Sequence, residues 1–284
     1  MSKSCIMAPV HRPGFKFGLN WIKTYNEHFD DDNIFLVFSN DEEYQEFKNL
    51  AEGLRYRSIV CREELYCSKP ISQKKIIGVQ YIYDNYDFDY VGVMDVDTEF
   101  IYHIDYDKSF TEYIERNTIY GSHINNQGII DGPARGAAQR FFSGEDVVKL
   151  SNFTDNFKNY FWFNDIPIYD RKHFNNFLNY INYSEVVKRI GYPDFDYILY
   201  VYYLLVNDLI KLDIYNVDGV QPPIANNGSF LESQSAMPRK YVAEVYKKYK
   251  PMWIKYPLVW LKCNPDMPSE GMDNVFVRMH IDRS

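Results

Sequence analysis

The chain has no long hydrophobic run. Its longest, "YILYVYYLLV" at 197–206, is about half of what spans a bilayer. The opening "MSKSCIMAPVHRPGF" lacks the apolar centre of a secretory leader, so a cytoplasmic location is expected. Cysteine is scarce. None of Cys5, Cys61, Cys67 and Cys263 forms a pair with metal-binding spacing, and the gap from Cys61 to Cys67 is too wide for a CxxC motif. Free thiols in a reducing compartment are the expectation. Positive charge is also in deficit. The 31 Lys and Arg against 39 Asp and Glu leave a net charge of −8, which argues against a general nucleic-acid binder because no global field draws in phosphates. There is no internal repeat and no low-complexity linker.

Apolar content is ample: 46% of 284 residues, enough for a substantial core. The 26 Tyr and 20 Phe fit either an AT-rich genome or a surface that stacks on sugars. Over the first hundred residues, strands and helices alternate. "CIMAP", "NIFLVFSN", "RSIV" and "YVGVMD" read as strands, and the apolar run of "NIFLVF" suits a strand buried on both faces. "GFKFGLNWIKTYNEHF", "DEEYQEFKNLAEGL" and "SQKKIIGVQYIYDNY" read as helices, the second opening with acids as helix N-termini do. This order predicts an α/β fold: a Rossmann-type sheet flanked by helices, with ligands beyond the carboxyl ends of its strands. Further on, "TIYGSHI" reads as a strand, "GIIDGPARGAAQRFFSGEDVVKL" as a loop and then a short helix, and "PDFDYILYVYYLLVND" as a helix. One continuous domain over 1–284 is expected, with a soft division near residue 100.

The chemistry concentrates in "YVGVMDVDTEF" at 90–100. An apolar strand runs directly into Asp95 and Asp97, which repel each other unless a cation compensates them. Carboxylates at i and i+2 around a strand end suit Mn²⁺ or Mg²⁺, which also bind diphosphate oxygens. The loop "PVHRPG" ends the first strand, so two strand ends converge on one crevice.

The first-strand loop, "FLVFSND", a lysine-bearing helix and then "YVGVMDVDTEF" together resemble a metal-dependent GT-A-fold glycosyltransferase, closely over about the first 100 residues and loosely beyond. The resemblance implies a GT-A-like mixed sheet, with a nucleotide-sugar-binding half at 1–100 and an acceptor-binding half with a C-terminal tail at 101–284. It further implies that Asp97 holds Mn²⁺ or Mg²⁺ and that Asp95 reaches the metal or the donor's ribose and sugar, with Val96 between them at the donor. Pro9, Val10 and His11 would face the base, Ser39 and Asn40 (with Asp41) the base or ribose, and Lys74 or Lys75 a phosphate or the donor sugar. A late histidine supplies a third metal ligand in several such families, and His280 in "VFVRMHIDRS" fills that place. Strand alternation sets Phe276, Arg278 and His280 on one face, with Arg278 toward phosphate oxygens. An inverting enzyme needs a carboxylate base within reach of the acceptor hydroxyl. Asp194 and Asp196 in "GYPDFDYILYVYY" resemble that element, Asp196 being preferred and Asp165 the rival. Acids there also suit a helix N-terminus.

Trp162, amid Tyr160, Phe161 and Phe163, is the best aromatic for a sugar face, and His123 is a weaker pocket candidate. From Arg239 to Lys262 there are seven basic residues and one acid, so this segment carries +6 and the remainder −14. Interleaved with Trp and Tyr, it suits peripheral contact with an anionic membrane. The reading is a bacterial transferase that moves a sugar from a nucleotide-diphosphate donor, UDP being favoured, to a glycan or lipid-linked acceptor, as in capsule or lipooligosaccharide synthesis. The alternatives are a sugar-nucleotide nucleotidyltransferase, for which "PVHRPGFKFG" is a poor match, and a non-catalytic glycan-binding protein.

Overall fold

The computed structural model describes residues 3–66, 70–96, 98–100, 103, 105–115, 117–123, 127–160, 167–191, 194–214, 258–262 and 276–280. At 98–99, 120–123, 129, 160, 213–214 and in the last two stretches only the backbone is described. Strand β1 (Ser4–Pro9) leads through a 3-10 turn (Arg12–Gly14) into α1 (Phe15–His28). Then follow β2 (Ile34–Phe38), α2 (Asp41–Leu50), β3 (Arg57–Val60), α3 (Ile71–Asn85), β4 (Tyr90–Val93) and the two-residue β5 (Thr98–Glu99). The βαβ order of the sequence is thus realised.

In the main sheet the order is β3-β2-β1-β4-β8, where β8 is Ile168–Asp170. The first four strands are parallel and β8 runs antiparallel to β4, with Gly92 opposite Ile168 and Tyr90 opposite Asp170. The fold is therefore α/β with a mixed sheet. Residues of β1 and β2 are buried throughout, as parallel strands covered on both faces must be.

Each face has its own core. On one, α1 contributes Phe15, Trp21, Ile22 and Tyr25 at helical spacing, with Phe47 of α2 and Tyr106, Phe110 and Tyr113 of α4 (Tyr106–Glu115). On the other lie α3, α8 (Arg171–Tyr180) and α10 (Asp196–Val206), whose residues are all buried. Helix α3 sits close to the sheet. A Cβ on Gly78 would stand 2.7 Å from Val37 Cγ2 and 2.8 Å from Met7 Cε, so only glycine permits this approach.

The stretch read as a loop before a short helix is different. Residues 127–141 form one helical run: α5 (Gln127–Ile129), a π-helical segment (Ile130–Gly136) and α6 (Ala137–Phe141). Gly132 and Pro133 have poor helix propensity. The wider π turn accommodates the proline's missing N–H, and burial of Ile130, Ala134, Ala137, Ala138 and Phe141 outweighs local propensity. Helix α7 (Gly144–Phe153) follows, capped by Ser143, whose hydroxyl accepts from the Asp146 N–H.

Among the described residues, two small sheets accompany the main one. Strand β6 (Thr118–His123) lies between β7 (Asn159–Tyr160) and β9 (Lys211–Ile214); α9 (Tyr183–Val186) is a single turn. Strand β10 (Leu258–Lys262) pairs in parallel with β11 (Phe276–His280), which pairs antiparallel with β5.

Candidate active site

The carboxyl ends of β1, β2 and β4 open on one side of the sheet, where ligands of such sheets bind. Pro9 and Val10 are buried, and the Val10 N–H donates to Val37 O at 3.0 Å, while His11 is exposed at the crevice rim. Beside them, Ser39 is half-buried and Asn40 exposed. Asn40 caps α2: its side-chain oxygen accepts from the Glu43 N–H at 2.9 Å, so that oxygen already has a structural task. Glu43 in turn accepts from the Ser39 N–H at 3.0 Å. Burial works against the Glu43 carboxylate, but hydrogen bonds from Ser39 and the charge of Lys74 hold its pKa below the usual range.

The two lysines of α3 divide the work. Lys74 is almost fully buried, and its ammonium donates to the Val10 carbonyl and to Ser39 Oγ. It ties the β1 and β2 loops together from beneath, and burial pushes its pKa down. Lys75 instead places Nζ 3.0 Å from Asp95 Oδ1, with both side chains half-buried or more. Of the two, Lys75 is the one beside the strand-end acid.

The end of β4 is held by the Met94 N–H, which donates to Met7 O at 2.8 Å, and by the Val93 N–H, which donates to Pro167 O at 2.7 Å. Asp95 then emerges half-buried, whereas Val96 turns into the core with Met94 and Phe100. A buried valine side chain there offers a donor molecule only its backbone. Asp97 and Asp165 lie outside the described residues, as do Trp162 and the segment 239–257. For Arg278, His280 and His123 the backbone alone is described. The register of β11 sets His280 opposite Thr98, the residue next to Asp97. A chain segment some 180 residues later thus returns to the short strand β5 that follows Asp95 in the sequence.

Asp194 and Asp196 have opposite surroundings. Asp194 accepts from Arg140 Nε at 3.0 Å and from Nη2, and its other oxygen accepts from the Gly191 N–H at 2.8 Å. Both oxygens are engaged, making it an anchor for the turn before α10. Asp196, first residue of α10, is 2% exposed and accepts from the Tyr169 hydroxyl. It does not cap the helix: the N-cap position is Phe195, with no side-chain cap bond. Burial raises the Asp196 pKa above its usual value; Lys75 and the Tyr169 hydroxyl oppose that, and the charge of Asp95 adds to it. Asp95, Lys75 and Asp196 are therefore one electrostatic cluster, with Lys75 ion-paired to Asp95 and both charges felt at Asp196. Lys75 at this place and Tyr169 as partner of Asp196 are not marked in the sequence. Position 75 is legible only as one of two adjacent lysines, and Tyr169 as one tyrosine among many.

In kind, carboxylate oxygens at 95 and 97 with an imidazole at 280 fit a hard divalent cation. Among the described residues no group of three such ligands stands together, Asp97 and the His280 side chain not being described. Asp95, a carboxylate at a strand end in the ligand-binding crevice, is the described part of that set.

No family model and no curated protein matches the chain. Solved structures with partial likeness include core-mannan synthase A (CmsA/Ktr4) from Aspergillus fumigatus in its Mn/GDP form, at 11% identity over 76% of this chain and 73% of that one, with a TM-score of 0.38. S. aureus TarS is similar at 11% identity and TM-score 0.29, and its 1-349 form at 12% and 0.27, each over 43% of this chain. The chain spans only 22% and 36% of those two TarS chains. At such scores the likenesses carry no argument, and the strand order and the Asp95–Lys75–Asp196 cluster remain the findings on which a function can be built.

Proposed function

We propose that the chain is a glycosyltransferase that moves a sugar from a nucleotide-diphosphate donor to a hydroxyl of a glycan or lipid-linked acceptor. The observation that carries this reading is a half-buried strand-end carboxylate, Asp95, ion-paired to Lys75, together with a buried carboxylate, Asp196, whose raised pKa responds to the charges of both. Carboxylates of perturbed pKa concentrate at functional sites.

In this reading Asp196 accepts the proton of the attacking hydroxyl. Its raised pKa brings it closer to the working pH, where a general base is most effective. The Tyr169 hydroxyl fixes one carboxylate oxygen and so orients the other. Pro9, Val10, His11, Ser39 and Asn40 line the base and ribose side, held in place by Lys74. Lys75 and Arg278 offer cationic groups to the diphosphate. Asp95, Asp97 and His280 would hold Mn²⁺ or Mg²⁺, which when bound neutralises charge developing on the leaving diphosphate. The basic segment 239–262 would rest on the anionic inner face of a membrane, suiting a lipid-linked acceptor in capsule or lipooligosaccharide synthesis. Among the described residues, no helix is long and apolar enough to cross that membrane.

The test is a thermal-shift series with UDP, GDP and their sugars, with and without Mn²⁺. A bound nucleotide raises the melting temperature by mass action. A metal-dependent shift for one nucleotide supports the reading; no shift with any nucleotide-metal pair removes it.

A further inference from the structure

The main sheet has a second opening. Strand β8 forms its edge among the described residues, and a cavity of about 340 Å³ lies along that edge between α4, α8 and α10. Its polar end, at Tyr90 and Asp170, is at the other end of β4 from Asp95, about 16 Å away at ~3.3 Å per strand residue. Nothing in the proposed transfer chemistry uses it.

Three groups at this end have unused hydrogen-bonding capacity. The Tyr200 hydroxyl accepts from the Asp170 N–H at 3.2 Å, and its own proton has no acceptor among the described residues, although Tyr200 is 1% exposed. Asp170 Oδ1 accepts from the Lys172 N–H at 2.9 Å, capping α8. Asp170 Oδ2 stands 4.0 Å from His173 Nε2, too far for a hydrogen bond. Burial lowers the His173 pKa, so its imidazole is neutral at neutral pH and contributes a neutral donor or acceptor. A buried donor, a carboxylate acceptor and an imidazole thus share one wall.

The other walls define the ligand class. Tyr90, Tyr113, Tyr197 and Tyr200 contribute rings, and Ile119 and Ile168 make an apolar floor. The charged residues of the lining are two acids, Glu115 and Asp170, and one lysine, Lys172, a balance that disfavours phosphates and other anions. The volume is at the small end for ligand sites, suiting one ring rather than a chain. We propose that this cavity binds a single uncharged sugar ring, with hydroxyls toward Asp170 and Tyr200 and its C–H face against the tyrosines.

This goes beyond the transferase reading, and the two fail separately. The experiment is saturation-transfer NMR on the full chain, using glucose, galactose, N-acetylglucosamine and short neutral oligosaccharides, with glucuronate and inorganic phosphate as anionic probes. Nucleotide binding is followed in parallel by melting-temperature shift and reports on the crevice alone. Saturable binding of a neutral sugar is expected, with glucuronate and phosphate weaker. Asp170→Asn, which retains the helix cap, and Tyr200→Phe should each raise Kd roughly 5–10-fold, the scale of one hydrogen bond. Ile114→Trp, at the half-buried rim, should abolish binding without touching Asp170 or Tyr200. Stronger binding of an oligosaccharide than of its monosaccharide identifies the ring as part of a glycan; equal binding identifies a free sugar. The proposal is overturned if no neutral sugar binds saturably, if glucuronate or phosphate binds as well as glucose, or if binding is unchanged in all three variants.

Discussion

Asp196 combines a buried carboxylate with a chemical task, and that combination has a thermodynamic signature. Folding raises its pKa above the unfolded value. Between the unfolded and folded pKa the native state then holds the proton and the unfolded state does not, so stability falls as pH rises through that window. Asp196→Asn keeps an acceptor for Tyr169 and removes the buried charge. Its melting temperature at neutral pH should equal or exceed that of wild type, and its acid-side pH dependence should be flatter. A variant that melts lower at neutral pH would make the ionised carboxylate a structural requirement. Lys75 opposes the shift at Asp196. Lys75→Met should therefore raise the Asp196 pKa further and move the acid limb of the rate profile to higher pH. An unmoved limb would disconnect Lys75 from the base. Asp95 and Asp196 are legible in the sequence as strand-end and helix-start acids. What links them is not, because Lys75 and Tyr169 gain their meaning only when α3 and β8 pack beside β4.

The elements differ in how far their residues announce them. Strands β1, β2 and β4 and helices α1 to α3 carry strong apolar patterns, and the chain folds there as the patterns predict. Strand β8 has three residues, too few for a period, and its place on β4 follows from pairing across more than seventy positions. The π-helical run defeats a local reading because Gly132 and Pro133 signal a loop, while the deciding burial involves residues remote in sequence. Two substitutions examine this packing. Gly78→Ala adds a methyl group where Val37 and Met7 already stand within 3 Å, an overpacking cost of about 1–3 kcal/mol that outweighs the gain in helix propensity of roughly 1 kcal/mol. Denaturant unfolding should show a lower midpoint with unchanged slope; equal midpoints would mean that α3 can shift away from the sheet. Arg140→Ala leaves the buried Asp194 without its cation. Because Arg140 is 40% exposed, the loss should fall at or below the low end of the 3–5 kcal/mol seen for fully buried pairs, about 2–3 kcal/mol. A loss under ~0.5 kcal/mol would show that water or the Gly191 N–H alone satisfies Asp194.

At the scale of the whole molecule, the four parallel strands set the crevice, and later parts of the chain return to it. Strand β8 leads in beside β4, α10 brings Asp196, and β11 sets His280 opposite Thr98. The strand-helix alternation makes the crevice legible from the first hundred residues, but these returns depend on long-range pairing that no local pattern encodes. We propose that this crevice transfers a sugar from a nucleotide-diphosphate donor with Asp196 as base. The most direct measurement is the turnover of a panel of nucleotide sugars, with and without Mn²⁺, by wild type and Asp196→Asn. Wild type should consume one donor in a cation-dependent manner, and the variant should bind that donor equally well but turn it over ~10²–10⁴-fold more slowly. Failure of every donor to bind or react, or turnover by Asp196→Asn at the wild-type rate, would contradict the proposal.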